Sequence, residues 1–193
     1  MDDGTGTIRS SNGIEVFIYD SADDNGENAN LSPMFEPASQ RFEFRIGQPT
    51  WELAIDELRE LRNESGPIDV LYLSDHGCSG LQLFGTENDT LKESAYSEIK
   101  PLMAEDGIVI RLGCNVGNNA EQAQLDADLL SATLISCDSF VLWGHPVGPV
   151  GFFSCMGNWV STSSAGESAK MSPEELGLVS TGALQSSLHN IRH

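Results

Sequence analysis

Short apolar runs alternate with amphipathic stretches along this chain. Ile14–Asp20 is apolar apart from Glu15 and its terminal Asp, and predicts a first strand. Residues 41–46 alternate polar and apolar side chains, as a half-buried strand or hairpin arm does. From 50 to 63, Trp51, Ala54, Ile55, Leu58 and Leu61 recur at helical spacing, which predicts an amphipathic helix. Ile68–Ser74 is a nearly continuous apolar run of the kind that forms a buried strand, and 81–85 predicts a short one. Leu91, Ala95 and Ile99 share one face of a second helix over 90–100, which Pro101 ends. Residues 107–112 repeat the buried-strand pattern. A third helix over 119–131 carries Ala120, Ala123, Ala127 and Leu130 on one stripe, with Asn118 and Glu121 spaced as a capping box. Residues 139–144 predict another buried strand, 148–160 a hairpin, and Ser172 with Pro173 the start of a short helix.

Strand and helix in alternation predict an α/β fold around a mostly parallel sheet. No repeat is visible and no segment marks a boundary, so residues 1–193 read as a single domain.

Composition narrows the function classes. Hydrophobic residues make up 39% of the chain, enough for a packed core. Ten Lys and Arg against 29 Asp and Glu give a net charge of −19. A nucleic-acid partner is not expected, because phosphate contacts need basic side chains. An anionic membrane surface is disfavoured on the same ground. No apolar run approaches the roughly 18 residues of a membrane span. The acidity reads either as a solubilising surface or as a field that draws in basic substrates.

The four cysteines are Cys78, Cys114, Cys137 and Cys155. A chain this rich in core residues does not need disulfide staples, so free thiols are expected. The first six residues are acidic and polar, unlike a secretory leader. Together these point to a reducing, cytoplasmic setting.

The chemistry is concentrated where two apolar runs stop. One stops at Ser74-Asp75-His76-Gly77, the other at Gly113-Cys114. In open α/β sheets ligands sit at the carboxyl ends of strands. His76 and Cys114 are 114 − 76 = 38 positions apart, room for a loop, a helix and a return to the sheet. A thiol attacks as the thiolate, and a neighbouring imidazole takes its proton. Gly77 leaves space for a substrate carbonyl, and the N–H groups of Gly77 and Cys114 are candidates for an oxyanion hole.

Plainer readings stand beside this one. His76 taken alone is an ordinary strand-end histidine, and Cys114 alone a small core residue. Cys78 is a rival nucleophile but falls in a turn, and Cys137 and Cys155 read as buried bystanders. A zinc site built from His76, Cys78, Cys114, Cys137, His145 and Cys155 lacks any Cys-x-x-Cys or His-x₃-His spacing. No metal or cofactor is therefore expected.

The segments 73–80 and 108–117, Leu-Ser-Asp-His-Gly-Cys-Ser-Gly and Ile-Val-Ile-Arg-Leu-Gly-Cys-Asn-Val-Gly, resemble the caspase-like cysteine peptidases. That group spans caspases, metacaspases, gingipains, clostripain and bacterial relatives of the CHAT type. The resemblance covers residues 14–145 as an order of elements. It departs from the caspase Gln-Ala-Cys segment and sits closer to the bacterial relatives. It implies a caspase-like sandwich, a central sheet flanked by helices. It also implies hydrolysis of a protein or peptide substrate by Cys114 and His76 without a cofactor. Specificity residues would fall at Asp20, after the first strand, and at Trp143, Gly144 and His145, after the strand that follows the Cys. Asp20 and Asp75 would select Arg or Lys at the cleaved bond, or Asp75 would instead orient or pair with nearby groups. Arg111 would serve an acidic substrate only if it faced the cleft. The competing reading is a catalytically silent module of this fold that binds a regulatory partner protein.

Overall fold

A computed structural model describes residues 14–21, 44–85, 89–143 and 153–171. The strands of its first half are β1 (Ile14–Asp20), β2 (Phe44–Gln48), β3 (Ile68–Ser74), β4 (Gly77–Cys78), β5 (Leu81–Phe84) and β6 (Asp89–Thr90). Those of the second half are β7 (Met103–Arg111), β8 (Thr133–Cys137), β9 (Val141–Trp143), β10 (Phe153–Cys155), β11 (Trp159–Thr162) and β12 (Ser168–Met171). The helices are α1 (Trp51–Ser65), α2 (Glu93–Ile99) and α3 (Ala120–Leu130). A seven-stranded sheet runs in the order β12-β11-β8-β7-β3-β1-β2. β2, β1, β3, β7 and β8 are parallel, and β11 and β12 close one side antiparallel. The expected α/β architecture with a mostly parallel sheet is what the chain forms.

The order of the strands dictates where the helices lie. From β2 the chain steps to β3, then β7, then β8, always in one direction across the sheet. Right-handed crossovers taken in one direction fall on one face. Accordingly Ala54, Ile55 and Leu58 of α1, Ala95, Tyr96 and Ile99 of α2, and Ala127 and Leu130 of α3 join one core cluster. They pack with Val16, Ile18, Leu71, Leu73, Val109 and Leu134 of the sheet. The alternate residues Phe17, Val70, Tyr72, Ile108, Ile110 and Ile135 belong to a second cluster on the opposite face. Among the described residues, all three helices lie on the first face.

The helices follow the sequence periodicity with small shifts. α1 ends at Gly66, whose φ of 103° favours glycine. Pro101 sits in a 3₁₀ turn, Lys100–Leu102, that carries α2 into β7. The cap of α3 is Asn119 and not Asn118: the Gln122 N–H donates to its side chain at 3.1 Å.

Several expectations need correction. The parallel strand after the Cys-bearing one is Thr133–Cys137, which the sequence reading passes over. The predicted strand at 139–144 is only Val141–Trp143, and it pairs with β10 outside the main sheet. Cys137 and Cys155 are not free thiols but a disulfide, with Cα atoms 5.7 Å apart. That bond removes the cysteine argument for a reducing, cytoplasmic setting. In place of the hairpin over 148–160, β11 pairs with β8 and β12. The predicted helix at Ser172 and Pro173 lies outside the described residues, as does the start of the 41–46 strand. No helix among the described residues is long and apolar enough to cross a membrane.

Candidate active site

The strand order reverses between β1 and β3: β2 lies on one side of β1 and everything after β3 on the other. Such a switch point leaves a crevice outside the carboxyl ends of the strands. Asp20 ends β1, and Asp75 and His76 follow β3. Cys114 follows the next strand along, β7.

β3 and β7 run parallel in register up to Leu73 opposite Arg111, and the Leu112 N–H adds one more bond to the Leu73 carbonyl at 2.8 Å. The two chains therefore leave the sheet side by side. A Cβ on Gly77 would run into the Val116 side chain and lie 2.7 Å from the Cys114 carbonyl oxygen. A Cβ on Gly113 would lie 2.8 Å from the His76 carbonyl oxygen. Glycine at both positions lets the His76–Gly77 and Gly113–Cys114 backbones touch.

β4 and β5 form a hairpin across a two-residue turn, Ser79-Gly80, with φ of 49° and 89°. Positive φ at both positions is what a type I′ turn requires. The hairpin lies along the Cys114 loop, where the Gly80 N–H donates to the Asn115 carbonyl at 2.9 Å. Gly77 faces Gln82 in this ribbon, and the neighbouring His76 carbonyl accepts from the Leu83 N–H at 3.0 Å. Antiparallel pairs alternate between bonded and unbonded, so the Gly77 N–H is turned away from β5. The Cys114 N–H has no hydrogen-bond acceptor among the described residues. Asn115 sits in the left-handed region at φ 58°, ψ 17°, which asparagine tolerates best after glycine. Cys114 is a free, half-buried thiol, and His76 is half-buried as well.

Asp75 pairs with nearby groups, one of the two roles open to it in the sequence. One carboxylate oxygen accepts the His76 N–H at 2.5 Å and the other the Gly85 N–H at 2.9 Å. Burial pushes its carboxyl up from 3.8 to about 6; the nearby Asp20 charge adds to this, and the two N–H bonds and His76 oppose it. Asp20 itself is buried, 1% exposed. A cavity of about 180 Å³ is lined by Gly85 together with Trp51, Phe84 and Leu91.

The residue that sequence reasoning missed is Gln82, fully buried on β5. Its Nε2 donates to the His76 and Leu83 carbonyls at 3.0 and 3.1 Å, and its Oε1 accepts the Gly113 N–H at 3.3 Å. One amide thus ties the His76 segment to the Cys114 segment. A signal was present: in Leu81–Phe84, Gln82 shares the buried side of the strand with Phe84.

Trp143 lies on β9, opposite Phe153, and Gly144 and His145 lie outside the described residues. Because β8 is the strand after the Cys, the segment that follows it is Asp138, Ser139 and Phe140. The Ser139 carbonyl accepts the Asn115 N–H at 2.6 Å, which brings that segment against the Cys114 loop. Arg111 is fully buried on the helix face, bound to Asp126 at 2.6 Å, so it does not face the cleft. Cys78 is exposed, one position out of phase with the inward-facing Gly77. With Cys137 and Cys155 bonded to each other, the zinc set loses two ligands. No family model, curated protein or solved structure matches the chain.

Proposed function

We propose that the protein is a cysteine endopeptidase of caspase-like fold that cleaves peptide bonds, preferentially after a basic residue. The observation that carries this reading is the direct backbone contact of His76–Gly77 with Gly113–Cys114 at the carboxyl edge of adjacent parallel strands. In this mechanism His76 takes the Cys114 proton and the sulfur attacks the scissile carbonyl carbon. The carbonyl oxygen becomes an oxyanion held by the N–H groups of Gly77 and Cys114, both unspent on the hairpin ladder. The tetrahedral species collapses as His76 gives its proton to the leaving amine and the C–N bond breaks. Water, deprotonated by His76, then hydrolyses the thioester and frees Cys114.

The basic preference rests on the acidity of the chain, whose net charge of −19 draws in cationic peptides. The test is a cleavage screen with peptides ending in Arg, Lys, Asp or Leu before the reporter. The reading expects turnover of the Arg and Lys peptides that disappears in Cys114→Ala and in His76→Ala. Turnover that survives either substitution, or none with any peptide, counts against it.

A further inference from the structure

We infer that Gln82 is the positioning residue of this site: its buried amide sets the approach of the His76 segment to the Cys114 segment. The inference rests on the Cys114–His76 reading above and concerns how that pair is held. Gln82 is 0% exposed and three of its bonds reach backbone atoms: the carbonyls of His76 and Leu83 and the N–H of Gly113. Two of these atoms belong to different catalytic segments, on either side of the β3–β7 junction.

The choice of an amide is specific. The bridge needs a donor facing the two carbonyls and an acceptor facing the Gly113 N–H, and one neutral amide supplies both. A carboxylate keeps the acceptor but turns a lone pair on the His76 carbonyl. A leucine fills the space and leaves the Gly113 N–H without its acceptor. By occupying the Gly113 N–H, Gln82 also reserves the next N–H along, that of Cys114, for substrate. Gln82 touches neither the thiol nor the imidazole through any bond described above, so its effect passes through the main chain.

The experiment measures iodoacetamide labelling of Cys114 by peptide mapping over a range of pH. Exposed Cys78 in the same molecule is the internal reference, and thermal melting is recorded in parallel. In the unaltered protein Cys114 labels about tenfold faster than Cys78, and His76→Ala removes the difference. Gln82→Leu lowers the Cys114 rate by about 10- to 100-fold while the Cys78 rate stays the same. Gln82→Glu is slow at neutral pH and recovers toward the unaltered rate as the new carboxyl protonates and regains a donor. A purely structural residue gives no such acid-side rescue. Should Gln82→Leu and Gln82→Glu both label like the unaltered protein while His76→Ala is slow, the positioning role is wrong and the Cys–His pair stands. Should Cys114 label no faster than Cys78, with or without His76, the pair itself is wrong and this inference falls with it. If Gln82→Leu does not fold, the pH profile of Gln82→Glu decides.

Discussion

Two polar clusters flank the end of β7, one under the helices and one at the sheet edge, and they are built by opposite rules. Under the helices, Arg111 is fully buried and each nitrogen of its guanidinium has a partner. It binds Asp126 at 2.6 Å, the Ser136 hydroxyl at 2.8 Å, the Tyr96 hydroxyl at 3.3 Å and the Val116 carbonyl at 3.4 Å. Gln122 donates to the other Asp126 oxygen at 2.8 Å. Burial raises the Asp126 carboxyl, and Arg111 opposes that rise most strongly. At the edge, Gln82 and Asp75 hold backbone atoms of His76, Gly85 and Gly113, and the thiol of Cys114 stays free and half-buried. A cluster that only has to hold the fold uses up its side chains. The cluster proposed to react fixes the main chain and leaves its thiol open.

The largest test of this contrast is Arg111→Ala. It strands Asp126 in the core, and breaking a buried pair costs about 3–5 kcal/mol. Urea unfolding should show that loss, whereas Cys114→Ala should leave the unfolding free energy within about 1 kcal/mol. Equal losses from the two substitutions would erase the distinction.

Next in size is the Cys137–Cys155 bond, 18 residues apart, which ties the end of β8 to the end of β10. Its removal by Cys137→Ser with Cys155→Ser should cost about 2–4 kcal/mol. Because Ser139 holds the Asn115 N–H, the same variant should also slow labelling of Cys114. Lost stability with unchanged labelling would assign the bond to the fold alone.

Asp75 gives a smaller, pH-dependent effect. Its carboxyl binds a proton more tightly in the folded chain than the ordinary 3.8, so the protonated form stabilises the fold. That contribution is complete below 3.8 and is lost as pH rises through about 6. The melting temperature of the unaltered protein, minus that of Asp75→Asn, should therefore fall between about pH 4 and about pH 7. A difference that rises over this range would show that the two N–H bonds outweigh burial.

The sequence made the reactive half of the contrast easier to read than the inert half. Apolar runs ending at His76 and Cys114 are local patterns, and the sheet places them as neighbours because β3 and β7 pair directly. Thr133–Cys137 escaped notice because it is short and carries Ser136, a polar residue at a buried position. Ser136 is tolerated there because Arg111, 25 positions away, bonds its hydroxyl. Gln82 and the Cys137–Cys155 pairing were hidden for the same reason: their partners are set by tertiary contact and not by spacing. With β8 recognised, the residues that follow the strand after the Cys are 138–140, ahead of Trp143, Gly144 and His145.

The central claim is that Cys114 is a nucleophile served by His76. An arginine-containing peptide acyloxymethylketone, followed by intact-mass and peptide mapping, tests it most directly. The account predicts one adduct per chain, on Cys114, that is lost in His76→Ala while Cys78 stays unmodified. Modification of Cys78 in its place, or an adduct on Cys114 that forms as fast in His76→Ala, would contradict it.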